Sequence, residues 1–362
     1  MKNEKINSFA LSTIIPSYTG ASFYGIYSSY ILNKSNTSTI LAMILGYLLS
    51  LILSIFIIKL FSNNPSSNFN DKLKKAYGKF SIIMNILFTI CSLLVYIFFT
   101  YRFVVFLSTQ YLVETSKIQI LLLILVTTYY IASHGIETVS RVSTISFYFI
   151  AVIFLFNFIS LFKEIDFNNL LPIINAKPQN IIETIITFSF YFTSPLIYIN
   201  VIKKDDLIDK ENFNKWFLIM QFISFISIFI AMSFTIGTFG INVAMLFDYP
   251  LYSVLKKIQL FSFLDSIENI RVILWLLSSI NASSITLLFI FNNLKNMFNL
   301  SYKTSKKINI IILFISFLIP CFLFLKNNFL ESFQYILIPL IISITLFLIN
   351  TITLFLTKIK EH

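Results

Sequence analysis

The chain has 362 residues, 57% hydrophobic and only 12% charged, with a net charge of +11. A soluble domain carries about 25% charged residues. A mean hydropathy of +0.83 and repeated apolar runs of about 20 residues exclude one and indicate a polytopic membrane protein. The positive charge is not a sign of nucleic acid, because the lysines punctuate the apolar runs as a bilayer requires.

Ten runs read as membrane helices, at about 8–32, 38–61, 80–108, 118–133, 141–162, 182–202, 214–240, 268–292, 308–325 and 333–357. They form one transmembrane domain of all-α class. With the amino terminus placed in the cytoplasm, 18 of the 27 Lys and Arg residues fall on the cytoplasmic side. Both termini are therefore expected inside.

The first run contains "SYTGASFYGIYSSY", residues 17–30, with two of the chain's seven glycines, Gly20 and Gly25. It starts near residue 8 without a short apolar core and cleavage site, so it reads as a retained span. Small residues in a membrane helix can serve close packing. Glycines beside hydroxyls equally suit a helix that breaks in mid-membrane, where freed backbone groups meet a ligand. Both readings stand at this point for Thr19, Gly20, Ala21, Ser22, Phe23, Tyr24 and Gly25.

The third run offers Cys91, Ser92 and Tyr96 to the same space, and carries Arg102 about two turns from its outer end. An arginine at that depth either snorkels to the interface or faces a cavity or partner. Residues 163–181 form a polar outer loop. The sixth run holds "TFSFYFTSPLIY", in which Ser189, Tyr191, Thr193 and Ser194 precede Pro195. Proline removes a helix hydrogen bond. The first and sixth runs hold equivalent places in two five-helix halves, and paired interruptions there point to a midplane binding site. Between the seventh and eighth runs, Leu251, Val254, Leu255, Ile258, Phe261 and Leu264 recur at helical spacing behind Pro250. This predicts an outer amphipathic helix lying on or between spans, with a packed re-entrant loop as the alternative. The eighth run contributes Ser278 and Asn281 within "SSINASS", a cluster that also suits interhelical packing.

No phosphate loop, metal-ligand cluster or activated nucleophile is legible, so neither an enzyme nor a cofactor is expected. Acidic residues sit at run ends and in loops, which argues against a pump built on a mid-membrane carboxylate. The two cysteines, Cys91 and Cys321, lie in apolar runs and read as free thiols.

Three segments carry a family resemblance. "HGIETVSR", with Gly135, Glu137 and Arg141, resembles the turn between spans four and five of bacterial spore germinant-receptor B subunits. "YPLYSVLKKIQLFSFLDSIENIRVILWLL", residues 249–277, is similar to their segment before span eight, matching at Tyr249, Pro250, Phe263, Leu264, Asp265, Ile267, Glu268 and Trp275. "NLLPI", residues 169–173, matches the loop after span five. The resemblance covers essentially the whole chain. It departs in the first run, where Ser22 stands for a glycine and Tyr27 lies near an expected proline, and in the sixth, which lacks a glycine.

The resemblance implies the amino acid–polyamine–organocation transporter fold, LeuT-like, with inverted repeats over about 8–162 and 182–325 and the last span completing the bundle. It implies a permease-like sensor of a nutrient, such as an amino acid or sugar, in the spore inner membrane. It also implies two partners, a larger A-type membrane subunit and a C-type lipoprotein. The alternative is an amino-acid transporter of the cell membrane, and a third reading is an assembly subunit without a ligand.

Overall fold

The computed structural model describes residues 5–256, 268–325 and 337–360. They are almost wholly helical. The first run is divided into α1 (Ser8–Ser12), α2 (Ile14–Ser22), a π-helical turn (Phe23–Tyr27) and α3 (Ser28–Ser35). Then follow α4 (Thr39–Ser62), the short α5 (Phe69–Tyr77), α6 (Ser81–Gln110), α7 (Lys117–Ser133), α8 (Ile136–Leu161), α9 (Pro178–Ile199) and α10 (Phe213–Phe239). The outer segment gives α11 (Ile241–Ala244) and α12 (Pro250–Lys256), and the chain continues as α13 (Glu268–Met297), α14 (Tyr302–Leu325) and α15 (Leu337–Ile359).

Eight helical stretches among the described residues are long and apolar enough to cross a membrane. A count of ten crossings takes the divided Ser8–Ser35 apart from α4, with which its last eight residues form one of the eight stretches, and adds α7, which is apolar but only 17 residues long. Leu123, Val126, Ile145, Val152, Ile159, Phe314 and Phe322 are exposed on α7, α8 and α14. Side chains of that size face water rarely in soluble proteins, and lipid accounts for them.

The core runs along α13, which packs against α2, α6, α7 and α8, while α9 lies along α4. Many hydroxyls are tolerated in these helices because they return their proton to a carbonyl one turn back. Ser92 donates to Phe88 O, Thr193 to Ser189 O and Thr286 to Ala282 O, at 2.9, 2.6 and 2.8 Å.

Two ends of the bundle are distinguishable. At one, the segment before α1 pairs with the segment after α9: Ile6 N donates to Asp206 O, and Ile208 N donates to Ile6 O, at 3.2 and 2.9 Å. Ser8 N donates to Asp209 Oδ1 at 2.7 Å. Lys72 on α5 is buried and donates to the carbonyls of Leu60 and Phe61, 2.8 and 3.0 Å away, which close α4. Terminal helix carbonyls have no intrahelical donor, so the ammonium replaces one. Lys360 reaches Lys75 O and Ala76 O at the same end. At the opposite end, Thr37 donates to Pro172 O, and Ser38 Oγ accepts from Asn175 N and Ala176 N.

The outer amphipathic helix is present as α12, where Leu251, Val254 and Leu255 are buried. It packs against α10, α13, α3 and the π turn, between the spans rather than on the bilayer. The expected continuation through Ile258, Phe261 and Leu264 lies outside the described residues, as does Asp265.

Candidate functional site

The divided first run is the centre of the site. Pro16 causes the first division, a feature the sequence reading did not single out. It has no N–H, so the Ser12 carbonyl loses its helical donor, and the helix breaks at Thr13. The second division is the π turn at Phe23–Tyr27, where Ser28 N–H returns to Phe23 O five residues back. Such turns widen the helix and often occur at functional sites. The helix is thus locally underwound by one wider turn, which shifts its register without breaking the chain of helical bonds.

One face of this run is a packing seam against α13. A methyl group at Gly20 would lie 3.1 Å from Ser278 Oγ. The Trp275 ring N–H donates to Ala21 O at 3.0 Å, and Asn281 Nδ2 donates to Ser17 Oγ at 3.4 Å. Ser17, Gly20 and Ala21 thus meet Asn281, Ser278 and Trp275 in antiparallel order, as small residues do at close helix crossings. The close-packing reading of the segment therefore describes this face, and the interruption lies one turn further on, at the π turn.

The other face is aromatic and meets α9. The Tyr27 and Tyr191 rings stack with centroids 3.3 Å apart, and their hydroxyls are hydrogen-bonded. Phe23 packs on Phe188 at 5.0 Å. One turn deeper, Tyr18 lies 5.8 Å from Tyr198 and edge-on to Phe99 of α6 at 5.2 Å. The hydroxyls of Ser92 and Thr286 lie near those of Tyr198 and Tyr18. Asn281 Oδ1 is buried without a partner among the described residues. Such an atom costs about 1–3 kcal/mol unless something binds it.

The remaining expected residues distribute as follows. Thr19 and Ser22 bond their own helix, at Ile15 O and Tyr18 O. Gly25 lies within the π turn. Tyr24 points away from the stack, into a small cavity of about 30 Å³ shared with Asn157, Phe234, Leu251 and Leu274. The structure does not bring Tyr96 into the group, since its hydroxyl bonds Thr128 Oγ1 of α7 at 2.8 Å. Cys91 is buried nearby as a free thiol. Ser189 donates to Ile186 O, and Ser194 donates to Ser343 Oγ of α15 at 3.1 Å. Pro195 does not interrupt α9, which runs unbroken to Ile199, because it falls in the last turns, where few ladder bonds remain to be lost. The expected break in the sixth run is therefore a continuous helix with a proline inside it.

Both ends of the seam between the first run and α9 are latched. At the end away from the amino terminus, Tyr30 donates to Glu183, and Lys34 Nζ lies 3.1 Å from the same carboxylate. At the other end is the Ile6 and Ser8 clasp described above. Arg102 is buried beneath α12, its guanidinium 6.0 Å from the Tyr249 ring and near enough to Tyr27 to act on its hydroxyl. It faces the bundle rather than the interface. Gly135 joins α7 to α8 at φ +88°, a backbone region glycine adopts without strain. Glu137 and Arg141 form an exposed ion pair one turn apart, Pro250 opens α12 and Glu268 opens α13.

A model of the spore permease family, described as spore germination protein, matches residues 5–329. The chain belongs to this family. No curated protein matches it. Among solved structures, this spore permease is similar to a Na+-coupled sialic acid symporter in a substrate-bound outward-open state, at TM-score 0.65 and 15% identity over 97% of this chain and 90% of that one. It is also similar to a nucleobase-cation-symport-1 family transporter, closed with bromovinylhydantoin bound, at 0.63 and 14% over 88% and 72%. A third likeness is to MhsT in complex with L-phenylalanine, at 0.59 and 12% over 97% and 98%. The fold is the LeuT-type transporter fold, and family and neighbours alike are permeases or transporters rather than enzymes.

Proposed function

We propose that this spore permease is the nutrient-sensing subunit of a germinant receptor, and that a small ligand such as an amino acid binds between the first run and α9. The observation that carries this reading is the Tyr27–Tyr191 stack at the π turn. Two tyrosines from helices at equivalent places in the two halves meet where one helix has changed register. The structural neighbours hold small organic ligands in the same fold, an aromatic amino acid among them. Here the hydroxyls of Tyr198, Tyr18 and Ser92 supply the polar atoms, the π turn the backbone, and Tyr27 and Tyr191 the walls. Binding separates the stacked rings and shifts the balance between latched and open forms. The A-type membrane subunit and the C-type lipoprotein read that shift in the spore inner membrane, with both termini of this chain in the cytoplasm.

Spores carrying Gly25→Leu with Tyr191→Ala are expected to lose germination on nutrients that require this subunit. Normal germination on every such nutrient would falsify the site. The alternative, an amino-acid transporter, is separated by uptake of labelled amino acids into proteoliposomes. Sensing predicts binding without accumulation.

A further inference from the structure

We propose that the crevice between α7, α13 and α14 binds the phosphate headgroup of an anionic phospholipid. It lies away from the site above, at the end of the bundle that carries the amino-terminal clasp. Two adjoining lobes, of about 200 and 410 Å³, share Ser133, His134, Tyr302, Ser305 and Asn309. Lys295 closes one lobe and Lys306 the other, and no acidic residue lines either among the described residues.

The donors are placed for an anion. His134 Nδ1–H donates to Tyr130 O at 2.7 Å, so the ring is spent on α7 and the donors that line the crevice for an anion are Lys295, Lys306 and the Tyr302 hydroxyl. The same contact covers a carbonyl at the end of α7, and Lys295 in the last turn of α13 offsets the carbonyl end of that helix, which also borders the crevice. The amino-terminal turn of α14 borders the crevice and adds partial positive charge.

Lipid is favoured over a free anion by what continues from the crevice into the membrane. Leu123, Val126 and Tyr130 of α7, and Ile310, Phe314 and Leu318 of α14, are exposed along the two helices that flank it. Acyl chains lie along such rows while the headgroup meets the lysines. Basic pockets between spans, at the level of anionic headgroups, recognise lipids in this way.

The test uses the full chain in nanodiscs of phosphatidylcholine with a minor share of phosphatidylglycerol, the retained lipid being counted by native mass spectrometry. The wild-type chain is expected to keep phosphatidylglycerol selectively. Lys295→Gln with Lys306→Gln should retain several-fold less. Lys79→Gln with Lys358→Gln, the same charge change on the same end outside the crevice, should retain as much as wild type. Equal retention by wild type and the crevice pair overturns the proposal, and so does equal loss in both pairs. Displacement of the lipid by submillimolar inorganic phosphate would assign a free anion instead and also overturns it. Should the crevice pair melt early in detergent, the exposed single variant Lys306→Glu carries the same comparison.

Discussion

Gly20 shows how little room the first run has. The methyl group of any other residue would meet Ser278 Oγ at 3.1 Å, and the carbonyl beside it is already held by Trp275. Gly20→Leu is therefore expected to destabilise the protein by about 1–3 kcal/mol through overpacking, read as a lowered melting temperature in detergent. Ser278→Ala should relieve part of that loss, and an unchanged melting temperature in Gly20→Leu would place the seam elsewhere. At this scale the sequence was partly legible. Tyr191 stands out because it sits among hydroxyls before a proline. Tyr198 does not, because a phenol in an apolar run reads as packing until its neighbours are known. Tyr96 attracts notice for the same local reasons as Tyr191, yet a single contact with Thr128 turns its hydroxyl to α7.

For whole helices, hydropathy located the long apolar helices, with ends that differ by up to about six residues, since burial in lipid depends on local composition. What it left open was continuity. Pro195 suggests a break and α9 absorbs it near its end, whereas Pro16 produces the break at Thr13. The π turn leaves no local signature, because part of its support comes from Trp275, 254 residues away. The Lys34–Glu183 latch joins two helices remote in sequence. Lys34 and Glu183 are each about a third exposed, so the pair contributes no more than about 1 kcal/mol, but it ties α3 to α9. Glu183→Gln is expected to raise amide hydrogen exchange several-fold over residues 28–35 while leaving 8–22 unchanged. Uniform exchange along the run would mean that it opens as one body.

In the molecule as a whole, the lysines, the amino-terminal clasp and the α15 end gather at one end, and the polar loops latch the other. If both termini lie in the cytoplasm, cysteines replacing Lys5 and Lys358 should resist an impermeant thiol reagent in intact cells, and one at Lys177 should react. The reverse pattern would invert the topology. The family's fold is thus carried by composition and spacing, while the site is carried by contacts between helices that are remote in sequence. The central claim is that a nutrient binds where Tyr27 meets Tyr191, and thermal unfolding of the purified chain against a panel of amino acids and sugars tests it most directly. A ligand at 100 times its Kd stabilises its protein by about 2.7 kcal/mol. The account predicts a shift of that order for at least one nutrient in wild type and its loss in Tyr27→Ala with Tyr191→Ala, the unliganded variant still unfolding cooperatively. A shift retained in full by that variant would contradict it.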